Sequence, residues 1–230
     1  MGSKQQEFQG KTTGIKDFGS RGAVTGGKHL DGFIALIVSI LSDSGLPGHS
    51  IHTRSTTLPG YFRPTKDWDL VVVIDDQLLA SIEFKAQVGS FGNNFNNRVE
   101  EALGNSTDIY TAFREGKFSS SSRPWTGWLM LLEDSSRSTV PVRISESHFS
   151  VFPEFRGTSY ADRYELFCER LVRERLYDSA CLIMSERKSG LTGAYSEPNA
   201  ELGFNAFVSS LLGRAYAFVE MKKTFPNPFD

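Results

Sequence analysis

The chain has 230 residues, of which 39% are hydrophobic, and a formal net charge of −2 at pH 7. This length supplies one substantial core, so one domain with insertions is expected rather than two. No apolar run reaches the eighteen or more residues of a membrane span, and the amino terminus lacks the apolar core of a signal peptide. Cys168 and Cys181 show no CxxC spacing, so neither a disulfide framework nor a zinc site is indicated. We expect a globular cytoplasmic protein.

Residues 1–28 form a glycine-rich segment with few apolar residues. Its positive charges are Lys4, Lys11, Lys16, Arg21 and Lys28. Such a composition does not build a core, so we expect a flexible basic arm over residues 1–28 and a single folded domain over residues 29–230. A tail without function is the alternative. The overall charge argues against a uniformly basic surface but allows a locally basic cleft for nucleic acid.

The following residues alternate between helix and strand patterns. Apolar residues at helical spacing predict a helix from Leu30 that stops at Gly45. Further patterns predict a β-hairpin over 68–86, a helix over about 94–114, a strand over 127–133, a helix over 159–176, a strand over 179–184, and a helix or strand near 200–221. Strands mixed with helices favour a three-layer α/β core with a mixed sheet.

The hairpin carries the chemistry that is easiest to interpret. Glu-x-Lys occurs four times, beginning at residues 83, 115, 186 and 220, so the pattern alone carries little information. At residue 83 the hairpin brings a second carboxylate close. A three-residue loop at 75–77 would place Asp69 opposite Glu83, with side chains about 5 Å apart, and Lys85 on the same face. A two-residue loop would shift the register by one residue and separate these groups.

Two carboxylates so close together repel each other, and proteins tolerate the pair chiefly where a cation neutralises it. Oxygen ligands of this kind suit Mg²⁺, and a neighbouring lysine can orient water and offset charge on a phosphodiester. Asp67 is a rival ligand, on the same face and opposite Lys85. We prefer Asp69, because a salt bridge to Asp67 would occupy the lysine. An exposed hairpin face that merely carries charges is the alternative.

Polar amides follow the hairpin at once. The group consists of Asn93, Asn94, Asn96, Asn97 and Arg98. Amide and guanidinium side chains suit base edges and phosphates, so a nucleic acid held beside a metal site would explain them. The alternative is an asparagine-rich cap of the helix that begins near Asn94, and we expect both uses within the group.

At these residues the chain resembles the XhoI family of type II restriction endonucleases. The resemblance is carried by "LPGYFRPTKDWDLVVV", "SIEFKAQVGSFGNNFNNRVEEALGNSTDIYTAFREG", "TGWLMLLED" and "VFPEFRGTSYADRYELFCERL", and covers roughly residues 21–176. It implies a restriction-endonuclease-like PD-(D/E)xK core, with a central mixed β-sheet flanked by helices, in one catalytic and DNA-binding nuclease domain. It also implies a homodimer that cuts double-stranded DNA at CTCGAG with Mg²⁺, leaving 5′-phosphate and 3′-hydroxyl ends, and a cognate DNA methyltransferase.

In that scheme Asp69 and Glu83 hold the metal, the main-chain carbonyl of Phe84 contributes, and Lys85 serves the attacking water. Trp68 stands where the superfamily's name has proline, which weakens the motif slightly. A further carboxylate often comes from the first helix in this superfamily, and Asp31 is the candidate here; dipole compensation at a helix start is its simpler explanation.

Other DNA contacts are expected from loops and helix starts. The candidates are Arg54, Arg63, Arg156, Tyr160 and Arg163. A six-base-pair palindrome is most simply read by a symmetric dimer. Competing functions are a repair or junction nuclease of the same superfamily, a DNA-binding protein whose acidic cluster is structural, and, least favoured, a metal-independent glycosidase.

Overall fold

The computed structural model describes residues 30–118 and 120–224, and the predicted arm over residues 1–28 lies outside this part of the chain. The α-helices are α1 (Asp31–Asp43), α2 (Phe91–Arg114), α3 (Ser136–Thr139), α4 (Tyr160–Arg173) and α5 (Phe204–Thr224). The strands are β1 (Ile51–His52), β2 (Thr57–Pro59), β3 (Thr65–Asp67), β4 (Leu70–Ile74), β5 (Gln77–Gln87), β6 (Trp125–Glu133) and β7 (Ser179–Ser185). Among these described residues, no helix is long and apolar enough to cross a membrane.

Five strands form one mixed sheet in the order β1-β4-β5-β6-β7. Strands β4 and β5 are antiparallel, whereas β5, β6 and β7 run parallel. The last two strands are buried on both faces, which explains why their sequences are nearly unbroken apolar runs. Strands β2 and β3 pair in a separate small antiparallel sheet that immediately precedes the hairpin.

Helices cover both faces of the mixed sheet. On one face, Leu41 of α1 and Phe207 of α5 belong to the cluster that contains Ile82. On the other face, Trp128 of β6 belongs to a cluster with Tyr164 of α4 and residues of α2. Side chains alternate between these clusters because successive residues of a strand point to opposite faces. The predicted α/β fold, a central mixed sheet flanked by helices, is confirmed.

The hairpin between β4 and β5 turns through two residues, so the predicted three-residue loop is wrong. Asp75 and Asp76 have φ angles of 48° and 59°, the left-handed values that a type I′ turn needs at both central positions. Aspartate tolerates this region better than most residues. Continued without interruption, this register would place Asp69 opposite Ile82 and not opposite Glu83.

A β-bulge in β5 compensates for the short turn. Val73 pairs with Leu78 but Val72 pairs with Ala80, which leaves Leu79 as the extra residue. Leu79 and Ala80 consequently both pack into the cluster on the α1 and α5 side. Beyond the bulge, each residue of β4 pairs with a residue of β5 one position later than the turn alone would give, as Leu70 does with Ile82. Asp69 and Glu83 are therefore opposite each other, as predicted.

Helix α2 begins earlier than the sequence predicted. It starts at Phe91 rather than near Asn94, and its N-cap residue is Ser90. Phe91, Phe95 and Val99 recur at helical spacing and pack against the sheet, which gives this amide-rich stretch the apolar face that a helix needs. The asparagines therefore lie inside the first turns of α2, and the prediction that they cap the helix is wrong.

Candidate active site

Asp69 and Glu83 meet where β4 begins, on the α2 side of the sheet. The Oδ2 atom of Asp69 accepts a hydrogen bond of 2.7 Å from the backbone N–H of Phe84. Phe84 itself packs into the opposite cluster, so its neighbour Glu83 points towards α2. Glu83 is only 3% exposed. The strand thus holds one carboxylate by its backbone and carries the second on the adjacent residue.

The electrostatic environment of Asp69 disfavours its charged form. Burial of the carboxyl group raises its pKa above the ordinary value, and the nearby negative charge of Glu83 raises it further. The Phe84 N–H, Lys85 and Lys66 act in the opposite direction but do not outweigh these effects. A cation bound beside Asp69 would therefore stabilise its ionised form, as expected for a metal ligand.

Two lysines hold the carboxylate of Glu83, one on each oxygen. Lys85 contacts Oε1, and Lys66 Nζ lies 2.7 Å from Oε2. Lys85 also lies 3.9 Å from a carboxylate oxygen of Glu101 on α2. The predicted trio of Asp69, Glu83 and Lys85 is therefore brought together on one side of the hairpin, although their catalytic roles remain predictions.

Lys66 was not predicted from the sequence. It lies in β3, which pairs with β2 and not with the main sheet, so strand alternation along the hairpin gives no information about its direction. A usable signal was its position three residues before Asp69. A long side chain at that distance can reach the site if the chain bends, and here the chain bends at Asp69, after buried Trp68, whose backbone N–H donates to the carbonyl of Thr56.

The other proposed carboxylate ligands do not join this group. Asp67 is exposed, and its Oδ1 accepts a hydrogen bond of 2.5 Å from Thr57 Oγ1 across the small sheet. Asp31 is exposed in the first turn of α1, and α1 packs on the sheet face opposite to that of Glu83. Within residues 30–118 and 120–224, no three His, Cys, Asp or Glu side chains come close enough to hold a metal ion together.

The donor set at the hairpin nevertheless fits a divalent cation. In a strand, the N–H and C=O of one residue point to the same edge. Since the Phe84 N–H is directed at Asp69, the Phe84 carbonyl also opens towards that edge. Two carboxylates and a carbonyl are the oxygen ligands that Mg²⁺ takes, with water in the remaining positions. The ammonium groups of Lys66 and Lys85 on Glu83 would repel a cation bound there.

The asparagines lie on the first turns of α2, the helix that packs on the same side of the sheet as Glu83. Asn93, Asn96 and Asn97 are exposed and Asn94 is half-buried. In the part of the chain that the structure describes, none of their side chains makes a hydrogen bond to another residue. Exposed amides without internal partners are available to a ligand, which is the condition that base or phosphate contacts require.

Arg98 connects the asparagine-rich first turns of α2 to the candidate site. Its guanidinium lies 2.5 Å from Glu101, the same residue that approaches Lys85. The Nε atom of Arg98 is buried and has no hydrogen-bond partner among the described residues. A donor left unsatisfied in this way is costly.

Two other predicted DNA contacts have structural partners. Arg63 donates to Asp108 at 2.8 Å and to Asn105 at 2.7 Å. Asp108 also accepts from the backbone N–H groups of Tyr61 and Phe62. Although burial acts to raise the pKa of Asp108, these hydrogen bonds and the Arg63 charge lower it below the ordinary value. This network fixes the loop before the hairpin onto α2.

Arg163 is the second residue with internal partners. It donates to Thr158 Oγ1 and to the carbonyl of Val142, both at 3.1 Å. Tyr160 is half-buried and stacks on Phe91, with ring centroids 5.9 Å apart. Both residues therefore have evident structural functions.

Arg54 and Arg156 remain accessible. Arg54 is exposed, and exposed Arg156 lies 3.3 Å from Glu146. An exposed pair of this kind contributes little to stability, so either arginine can turn to a phosphate at small cost.

Comparison with known proteins agrees with this geometry. The model of the restriction endonuclease XhoI family matches residues 7–197. The chain is 55% identical over 204 residues to the type II restriction enzyme BstVI of Geobacillus stearothermophilus, covering 86% of this chain and 91% of that enzyme. It is 49% identical over 158 residues to the type II restriction enzyme XhoI of Xanthomonas vasicola, covering 67% of this chain and 64% of that enzyme.

A third relative is the type II restriction enzyme AbrI of Azospirillum brasilense, 54% identical over 125 residues, which cover 53% of this chain and 56% of that enzyme. No solved structure matches the chain. The family match spans α1, the hairpin, α2 and α4, and so includes both carboxylates and the asparagine-rich helix. The chain belongs to the XhoI family of type II restriction endonucleases, and it is a site-specific deoxyribonuclease that acts on DNA.

Proposed function

We propose that this endonuclease cuts both strands of DNA at the palindrome CTCGAG, with Mg²⁺, and leaves 5′-phosphate and 3′-hydroxyl ends. The observation that carries the metal-dependent chemistry is the position of Asp69 beside Glu83, with Lys85 on the same side of the hairpin. The target sequence rests on the family resemblance.

Each residue of the site has a defined part in this scheme. Asp69, Glu83 and the Phe84 carbonyl hold the cation, and Asp31 is left out of the ligand set because it does not join them. When bound, Mg²⁺ supplies positive charge that activates water and neutralises the developing charge on phosphorus. Lys85 orients the attacking water through its ammonium group and stabilises a non-bridging phosphate oxygen.

The exposed face of α2 reads the DNA in this proposal. Asn93, Asn96 and Asn97 place their amides at base edges, and Asn94 and Arg98 contact the backbone close to the cut phosphate. Further phosphate contacts come from Arg54, Arg63, Arg156, Tyr160 and Arg163. Of these, Arg54 and Arg156 are the most accessible, and we rank them first.

We infer a homodimer, since a palindrome presents the same half-site to two symmetry-related subunits. An enzyme of this activity also needs a cognate methyltransferase that modifies the same site in the host. We expect the two proteins to share a recognition sequence without forming a stable complex.

Digestion of a plasmid of known sequence tests the proposal. The purified protein is incubated with Mg²⁺, with EDTA as the control, and the fragment ends are sequenced. Uniform ends inside CTCGAG support the target, and a 5′-phosphate at each end supports the proposed end chemistry. Uniform ends at another sequence would overturn the proposed target while leaving the enzyme class intact.

One observation favours a second interpretation of the acidic cluster, a structural ion-pair network rather than a metal site. Glu83 is buried and held by two lysines, as in such a network. The same digestion tests it: absence of cleavage with both Mg²⁺ and Mn²⁺, in a protein shown to be folded and to retard DNA, would favour the structural interpretation of the cluster.

A further inference from the structure

Lys66 lies in the candidate active site, but the proposed function gives it no role. Its ammonium group lies 2.7 Å from Glu83 Oε2 and donates to the backbone carbonyl of Asp67 at 2.8 Å. It also lies 4.7 Å from the centre of the Trp68 ring. Only 12% of the side chain is exposed, which is unusual for lysine.

The charges of Asp69, Glu83, Lys66 and Lys85 balance one another. Asp69 and Glu83 contribute two negative charges, and Lys66 and Lys85 contribute two positive ones. Both Glu83 oxygens are engaged by ammonium groups. A cation held by Asp69 and Glu83 would lie close to these two ammonium groups, so their positive charge opposes metal binding and favours a shift of one lysine away from Glu83 when the metal binds.

Both lysines have partners besides Glu83. Lys85 lies 3.9 Å from Glu101, whereas the Asp67 carbonyl and the Trp68 ring contact the Lys66 ammonium group in the position it already occupies. Lys66 can therefore lose its contact with Glu83 through a small shift that keeps these two uncharged partners. A group released from Glu83 onto these two partners stays at the edge of the site. A phosphate above the cation would lie within its reach, and an ammonium group binds phosphate as a point charge.

We propose that Lys66 is a mobile counter-ion. In the DNA-free protein it neutralises Glu83 and competes with the metal; in the complex it contacts a non-bridging oxygen of the cut phosphate. This inference rests on the proposed metal-dependent cleavage. The binding of DNA and the binding of the metal are then coupled. DNA attracts Lys66 away from Glu83 and so increases the affinity for the metal, and the metal increases the affinity for DNA by the same factor.

The test measures metal binding without any catalysis. Thermal unfolding of the DNA-free protein is followed over a series of Mg²⁺ concentrations for the wild type and for Lys66→Met, and the affinity is taken from the metal-dependent rise in Tm. Lys66→Met removes the competitor but keeps the aliphatic stem. We expect it to bind Mg²⁺ about 10-fold more tightly than the wild type, within the usual range of coupling between sites.

The cleavage rate of Lys66→Met should fall, although its affinity for Mg²⁺ rises. With saturating Mg²⁺, the rate for Lys66→Met should fall about 10- to 100-fold, the usual effect of losing one charged hydrogen bond to a reacting phosphate. Tighter metal binding combined with slower cleavage distinguishes this role from a structural one, which would lower Tm at every Mg²⁺ concentration without raising the affinity.

Matched variants complete the test. Lys66→Gln can still donate to the Asp67 carbonyl, and it should show the same gain in Mg²⁺ affinity even if Lys66→Met folds poorly. Lys66→Arg keeps the charge and should bind Mg²⁺ like the wild type. Lys117→Met, at an exposed lysine after α2, should change neither quantity.

The outcomes separate this inference from the proposed function. A wild type that neither binds Mg²⁺ nor cleaves DNA contradicts the proposed function itself. A wild type that does both, with unchanged or weaker Mg²⁺ binding in folded Lys66→Gln, overturns the role of Lys66 alone.

Discussion

Replacing Asp69 by asparagine should stabilise the metal-free protein while it abolishes cleavage. The side chains are of equal size, and the asparagine Oδ1 can still accept the hydrogen bond from the Phe84 N–H. The substitution removes a partly buried charge and its repulsion with Glu83, the two effects that raise the pKa of Asp69. It also loses attraction to Lys66 and Lys85, which the direction of the pKa shift shows to be smaller.

We expect a gain of about 1 kcal/mol in the free energy of unfolding at pH 7, the scale of a single stabilising change at a functional site. For a chain of this size that is about 3 °C in Tm. Urea unfolding of the wild type and of Asp69→Asn in EDTA measures the difference. Asp67→Asn is the matched control, because Asp67 is exposed two residues away; its effect should stay within about 0.5 kcal/mol.

The gain should depend on pH in a defined direction. A carboxyl group whose folded pKa is raised destabilises the folded state when it is ionised, so the penalty is full above the folded pKa. It shrinks as pH falls through that value and vanishes below the unfolded pKa of about 3.9. The advantage of Asp69→Asn should therefore be larger at pH 7 than at pH 4. A loss of stability at pH 7, or a gain independent of pH, would refute the reasoning.

Three further substitutions test other parts of the account. Lys85→Met should slow cleavage at least about 100-fold with DNA binding retained in a gel-shift assay; a smaller effect would remove its proposed role. Asn97→Ala should leave Tm unchanged, since the side chain is exposed, but weaken binding to the specific duplex about 10- to 100-fold, and equal binding by calorimetry would contradict a base contact. Asp108→Asn should cost about 2 kcal/mol in urea unfolding, because it weakens charge-assisted bonds to two backbone N–H groups and to Arg63; a change below about 0.5 kcal/mol would show that the loop is held by other contacts.

Apolar runs predicted β4 to β7 of the sheet, most clearly β6 and β7, which are buried on both faces. They did not predict the edge strand β1, which has two residues and is half-buried. The pairing of Asp69 with Glu83 was also predicted correctly, but only because two errors, in the length of the turn and in the regularity of β5, cancelled. The turn has two residues, and Leu79 forms a bulge that compensates. The position of a bulge depends on packing, and here Leu79 and Ala80 both pack into the same cluster. No local sequence pattern predicts this.

The limits of sequence patterns explain the remaining differences. Glycine and asparagine suggested that the helix begins after them, but the apolar spacing of Phe91, Phe95 and Val99 prevails over their low helix propensity. Lys66 escaped prediction because its strand leaves the main sheet, so its approach to Glu83 is a tertiary contact.

The most direct test of the central claim is cleavage of a duplex oligonucleotide that contains one CTCGAG site, with Mg²⁺, by the wild type, Asp67→Asn and Asp69→Asn. The account predicts that the wild type and Asp67→Asn cut at comparable rates, and that Asp69→Asn, folded and still able to bind the duplex, is at least about 100-fold slower. Comparable cutting by Asp69→Asn, or loss of cutting in Asp67→Asn alone, would contradict the assignment of the metal site to the opposed carboxylates of the hairpin.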